Sequence, residues 1–300
     1  MERRDVLEKR LNDFFRIKDF GPDPAFSRFI PMVYDPIGVD WKSTFNPDFL
    51  QYFNGLLLKG ADEVHRVFLA VFPTDDVLER FIAESEEGDL LFMHHPLLME
   101  CGDPRGKWGR GFVPMDKKWL DRIKEKKLSV YTCHIPMDLN RQVGTNASIA
   151  EALQAQAVDT FAQGYGWICE IETTNIDALV DSLLDIFSIP YVDFEGKKLQ
   201  EISRVAIHAG CGDQVESMRE AEAKGAQAYI TGEIHCHIDN DYGRMRYQQI
   251  MAYTKETTMS LIGVSHSASE YLVMKTQAKK FFEDNFSVQC ILLPQKKWWL

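Results

Sequence analysis

From Val64 onward the chain alternates short apolar runs, rich in β-branched and aromatic residues, with longer segments whose apolar positions recur every three or four residues. That alternation predicts an α/β fold built on parallel sheet. Strands are expected at 67–72, 89–93, 129–133, 204–208, 228–231, 260–264 and 288–293. Helices are expected between them, at about 75–86, 115–126, 145–156, 175–187, 213–223, 243–256 and 268–284. The first sixty residues behave differently. An amphipathic helix to about Phe20 gives way to Pro22, Pro24, Pro31, Pro36 and Pro47, which interrupt any continuing period.

The chain also resembles itself. The run from Val67 to Leu78, followed by a helix and then Gly88 to His95, parallels Val205 to Glu216, a helix, and Gly225 to Glu233. Each unit reads strand, acidic turn, helix, glycine, strand, polar loop. Farther on, His134 and Asp138 correspond to His266 and Glu270, both offset by 132 residues. Two related α/β halves follow, over roughly 60–140 and 200–275, each with polar residues at the carboxyl ends of strands, where ligands of open α/β sheets bind. The expected organisation is a helix and loop-rich flank over 1–60, a first α/β lobe over 61–160, a connecting segment over 161–200 and a second lobe over 201–300.

Composition narrows the functional classes. With 45% hydrophobic and 26% charged residues the chain is an ordinary folded protein. A net charge of −11 provides no general attraction to a polyanion, which argues against nucleic acid as the main ligand. The longest apolar runs fall far short of the roughly 20 residues that span a bilayer, and the charged start predicts no secretory leader. Six cysteines are scattered without a CxxC pair, so no zinc ribbon or dithiol motif can be read from them, and a cytoplasmic location is expected.

The candidate chemistry lies in three strand-end loops: His94-His95, His134 with Asp138, and His266 with Glu270. Imidazole and carboxylate together suit zinc, iron, manganese or cobalt, and more donors than one tetrahedral ion needs point to two ions. His266 and Glu270, four apart at a strand-to-helix junction, can point to one place if the helix begins by Ser267. Taken singly, each histidine has an ordinary reading as a hydrogen-bonded structural residue, and a glutamate early in a helix serves the helix dipole. The paired spacing is what separates the set from chance placement. Glu233 and His237 lie where the repeat places a site loop and read equally as acid/base or structural residues. His65 and His208 read as packing or surface residues, and Gly210 and Gly212 as a tight strand-to-helix turn that could also receive an anionic group.

These motifs carry a resemblance. His94-His95-Pro96, His134-Ile-Pro-Met-Asp138, Thr231-Gly232-Glu233 and His266-Ser-Ala-Ser-Glu270 resemble, in order and spacing, the HHP, HTxxD, TGE and GHxxxE motifs of the NIF-three-like family, also labelled GTP cyclohydrolase 1 type 2 homologues. The resemblance covers about residues 64–290. It implies two related three-layer α/β lobes facing each other across a metal-containing cleft and a toroidal homohexamer. It also implies a dinuclear centre held by His94, His95, Asp138, His266 and Glu270, with Glu270 bridging. His134 matches a motif histidine close to the metals, either a ligand or a proton-transfer residue, and it is the candidate catalytic group. This sequence departs from the pattern at Ser265, where the family has glycine, at Ile135-Pro136, and in a flank that lacks the Trp-Asp-Asn-x-Gly-Leu segment.

The function expected on this reading is hydrolysis of a small nucleotide-like or phosphorylated substrate by a hydroxide bridging two divalent ions, with zinc, iron or manganese foremost. GTP ring opening is what the family label implies, but the sequence shows no base-recognition motif. The alternative is a non-catalytic metal-binding or regulatory interaction protein.

Overall fold

The apolar runs become the inner strands of two separate sheets in a computed structural model describing residues 1–300. In chain order the strands of these two sheets are β1 (Gly55–Leu58), β2 (Arg66–Ala70), β3 (Leu90–Met93), β4 (Ser129–Thr132), β5 (Gln156–Phe161), β6 (Gly166–Thr174), β7 (Asp193–Gly196), β8 (Ile202–His208), β9 (Ala228–Thr231), β10 (Ser260–Gly263) and β11 (Gln289–Leu292). One sheet has the order β11-β2-β3-β4-β1 and the other β7-β10-β9-β8-β6-β5.

The internal repeat is realised as one topology used twice. β2, β3 and β4 run parallel, joined through helices Asp75–Glu84 and Lys117–Glu125. β8, β9 and β10 do the same through Val215–Ala223 and Asp241–Tyr253. In each sheet the third strand has an antiparallel neighbour, β1 beside β4 and β7 beside β10. The other edges differ: β11 adds in parallel to β2, whereas β6 pairs antiparallel with β8 and β5 in turn antiparallel with β6.

The chain divides into two units. The first comprises Met1–Met99, Phe112–Asn140 and Met274–Lys296, and the second Glu100–Gly111, Arg141–Val273 and Lys297–Leu300. Within the first, successive strand residues serve opposite faces of the sheet. Phe68, Leu91 and Val130 pack into a core with Phe81 and Ile123 of the connecting helices and with Phe26, Ile30 and Tyr34 of the flank. On the other face Phe92 stacks with Phe15 and meets Phe282 edge-on. Within the second, Val205, Ile207 and Ile230 share a core with Leu179 and Leu183, while Ala206, Tyr229 and Leu261 share another with Met218 and Ile250. Both units are therefore three-layer, with helices on both faces of a sheet.

Residues 161–200, expected as a connecting segment, lie within the second unit. They supply β6, helix Ile176–Phe187 and β7, and the helix buries Ile176, Leu179, Leu183 and Phe187 on one stripe. The helix expected over 268–284 is broken into His266–Val273, a π-helical turn Met274–Ala278, and Lys279–Asn285. Its last two pieces belong to the first unit. No helix is long and apolar enough to cross a membrane.

Candidate metal centre

In the first unit the parallel register sets the geometry. Met93 at the end of β3 lies beside Thr132 at the end of β4, so the residues that follow, His94-His95 and His134, leave the same sheet edge together. Each of these three histidines offers a ring nitrogen, and the three nitrogens lie within 4.8 Å of one another. His94 and His95 are buried. His94 Nδ1 is 2.7 Å from the carbonyl of Cys133. A carbonyl can only accept, so Nδ1 carries the proton and Nε2 is the donor atom for a cation. That Nε2 lies 3.3 Å from Oδ1 of Asp138. Asp138 closes the one-turn helix Ile135–Asp138, whose Pro136 sits in the first turn, where a missing N–H costs nothing. The departure at Ile135-Pro136 thus leaves the carboxylate in reach. The His95 ring rests between Phe72 and Phe26, with centroids 4.5 and 5.5 Å away.

Asp23 is the site residue that sequence reasoning missed. Its Oδ1 accepts hydrogen bonds from the amides of Ala25 and Phe26, and its Oδ2 lies 2.7 Å from His134 Nδ1. Burial pushes this carboxyl up, but the charge and hydrogen bond of His134 outweigh burial and hold it below the usual range. The carboxylate fixes the proton on Nδ1 of His134, and Nε2 lies 3.9 Å from Asp138 Oδ2. The only sequence hint was an acidic residue between Pro22 and Pro24, and nothing in its spacing linked it to residue 134.

In the second unit His266 opens its helix and Glu270 lies one turn on, with Nε2 to Oε1 at 3.0 Å. Gly210, two residues past β8, has φ +68°, and a Cβ there would stand 2.4 Å from Oε1 of Glu270. Glycine is required for that approach and for the turn, so the structural reading of Gly210 holds. Ser265 has φ +72°, the left-handed conformation that explains glycine in the family pattern. Here serine adopts it, and its hydroxyl and that of Ser267 donate to the carbonyl of Trp298. Glu233 places Oε1 3.4 Å from His266 Nδ1, a positioning role on the side of the ring away from Glu270. His237 instead packs against Trp108, Tyr247 and His235. Burial, then the charge of His235, pulls its pKa down to about 4. His208 bonds the hydroxyl of Tyr229, as a packing residue would.

Buried imidazoles and carboxylates are thus gathered in each unit, and this donor chemistry fits divalent first-row ions. The model of the Duf34/NIF3 (NGG1p interacting factor 3) family matches residues 51–297. The chain belongs to the DUF34/NIF3 family. It is 28% identical over 247 residues to a Pyrococcus abyssi protein named GTP cyclohydrolase 1 type 2 homolog, covering 80% of this chain and 88% of that one. Among solved structures, the protein ybgI, of unknown function, superposes with TM-score 0.69 at 16% identity over 99% of this chain and 100% of that one. TTHA1606 from Thermus thermophilus does so with TM-score 0.64 at 20% identity, covering 99% of each. At such identities the structural likeness establishes the shared NIF3-type fold.

Proposed function

We propose that this protein is a metal-dependent hydrolase in which His94, His95, Asp138, His266 and Glu270 hold two divalent ions, zinc, iron or manganese, and His134 transfers the proton. The observation that carries the reading is the pairing Asp23–His134–Asp138. An imidazole with one nitrogen fixed by a carboxylate and the other directed toward a candidate ligand is built to exchange a proton, beyond what packing requires. Two bound ions would supply an acidified water and polarise the substrate.

The chain's own residues supply the rest. Cys133 holds the His94 tautomer through its carbonyl, and Asp23 holds that of His134. Glu233 orients His266 from its Nδ1 side, as carboxylates commonly do for ligating histidines. The substrate proposed is small and nucleotide-like or phosphorylated, a reading supported by the name its relatives carry. The test is turnover of a panel of nucleotides and phosphoesters by metal-loaded protein. Activity lost in His95→Ala supports the hydrolase. No turnover by a protein that still binds metal reversibly favours a metal-binding or regulatory role instead.

A further inference from the structure

Two thiols that lie 110 positions apart in sequence meet in the second unit. Sγ of Cys101 and Sγ of Cys211 are within 4.8 Å of one another. Each is also 3.5 Å from the same atom, Nδ1 of His266, so the two sulfurs crowd one point instead of packing on separate surfaces. Hydrogen bonds hold both backbones in place. The carbonyl of Cys101 accepts from the amide of His237 at 3.0 Å, and the amide of Gly102 donates to the carbonyl of Leu300. The amides of Gly210 and Gly212, which flank Cys211, donate to the hydroxyls of Ser269 and Thr231. The two thiols differ in access: Cys101 is 4% exposed, whereas Cys211 is half-buried.

We propose that Cys101 and Cys211 form a reversible thiol–disulfide couple, a site of oxidative modification in which Cys211 meets a peroxide and Cys101 resolves the product. The peroxide O–O bond breaks as the Cys211 sulfur takes one oxygen, giving a sulfenic acid and one water. The Cys101 sulfur then displaces that hydroxyl as a second water, and the S–S bond forms. Both S–H protons leave in the two waters, and the sulfurs together give up two electrons. The thiol of Cys211 donates to Oε2 of Glu233 at 3.5 Å, which places a proton carrier beside the first step. Access serves that step and proximity the second, because a thiol already held beside the sulfenic acid needs no diffusional encounter. No CxxC surrounds either residue, so only the folded chain reveals the pair. Closing the bond, about 2.05 Å long, draws residue 101 and the 210–212 turn together. Both sulfurs touch Nδ1 of His266, so the surroundings of that ring change with redox state. Only this last consequence rests on the reading of His266 as a metal ligand.

The full-length protein is reduced with a phosphine, freed of reductant and treated with hydrogen peroxide. It is then alkylated under denaturing conditions, digested without reductant and analysed by mass spectrometry. The expected product lacks two hydrogens, has lost two alkylatable thiols and contains one linked peptide pair, that of Cys101 and Cys211. Phosphine should reverse all three changes. Cys211→Ser and Cys101→Ser should abolish the link, and Cys236→Ser should keep it. His94→Ala/Asp138→Ala should form it as readily as the wild-type protein, which separates this inference from the hydrolytic reading. Should Cys101→Ser not fold, Cys211→Ser, a change at a half-buried position, alone decides. A link from Cys211 to Cys236, a sulfinic acid at Cys211 with Cys101 still alkylatable, or thiols that survive the peroxide untouched overturns the proposal.

Discussion

Asp23 Oδ2 and His134 Nδ1 are 2.7 Å apart, joining the loop just past β4 to an amino-terminal flank that was expected to be loop-rich but folds into short helices, Phe26–Tyr34 taking Pro31 within it. The flank is therefore part of the candidate site's machinery. Asp23→Asn keeps the shape and removes the charge that fixes the tautomer. Metal content is expected to stay unchanged while kcat, rather than KM, falls roughly ten- to a hundredfold. The pH–rate profile should shift as well, which a purely structural role for Asp23 would not produce.

Metal removal should be visible in stability. A ligand that binds only the folded state adds about 2.7 kcal/mol when its free concentration is roughly a hundredfold above Kd. Chelation is thus expected to lower Tm and re-addition of the ion to restore it. His95→Ala and Glu270→Ala should respond less than the wild-type protein when the same melts are followed by calorimetry.

Gly210→Ala tests the approach of Glu270. The new Cβ must displace Oε1, and φ +68° adds roughly 1–2 kcal/mol of backbone strain. A lower Tm together with weaker metal binding is expected. Unchanged affinity, measured by competition with a chromophoric chelator, would remove Glu270 from the ligand set.

At Ser265 the usual order of substitutions should invert. Alanine keeps the strain of a positive φ and loses the hydrogen bond to Trp298, costing about 1–2 kcal/mol. Glycine loses the same bond but relieves the strain. Denaturant melts are expected to rank Ser265→Gly above Ser265→Ala.

Glu222 ties β10 and its approach to helix Val215–Ala223. It accepts hydrogen bonds from the amide and hydroxyl of Thr258 and from the hydroxyls of Thr257 and Tyr253. Burial raises its pKa, but the Thr258 amide and the hydroxyls outweigh burial and the net shift is downward. A carboxylate with a depressed folded pKa stabilises fully above its unfolded value, about 4.3, and that contribution disappears as pH falls through the folded value. Glu222→Ala should cost about 2 kcal/mol at neutral pH. The gap between the wild-type and variant melts should narrow below about pH 4.

The inner strands were legible because both sheets bury them from two sides, so Leu90 to Met93 or Ala228 to Thr231 read as unbroken apolar runs. The outer strands were not. β5 exposes Gln156, Ala157, Val158 and Asp159 in succession, and β7 is only half-buried throughout, so neither shows a strand period. Among candidate site residues, the histidines and acids of the repeated loops stood out through spacing. Asp23 did not, because its partner His134 lies 111 residues away in sequence and only the folded chain joins them.

The edge strand β11 has a bearing on how the chain is made. Translation begins with the flank, β1, β2, β3 and β4, yet β2 pairs with Gln289–Leu292. Until those residues leave the ribosome, the amino-terminal sheet keeps one long edge bare and the aromatic surface around Phe92 lacks Phe282. The half that is synthesised first therefore cannot close its sheet until nearly the whole chain has been made, and a nascent chain stalled before residue 289 would be a natural client for chaperones.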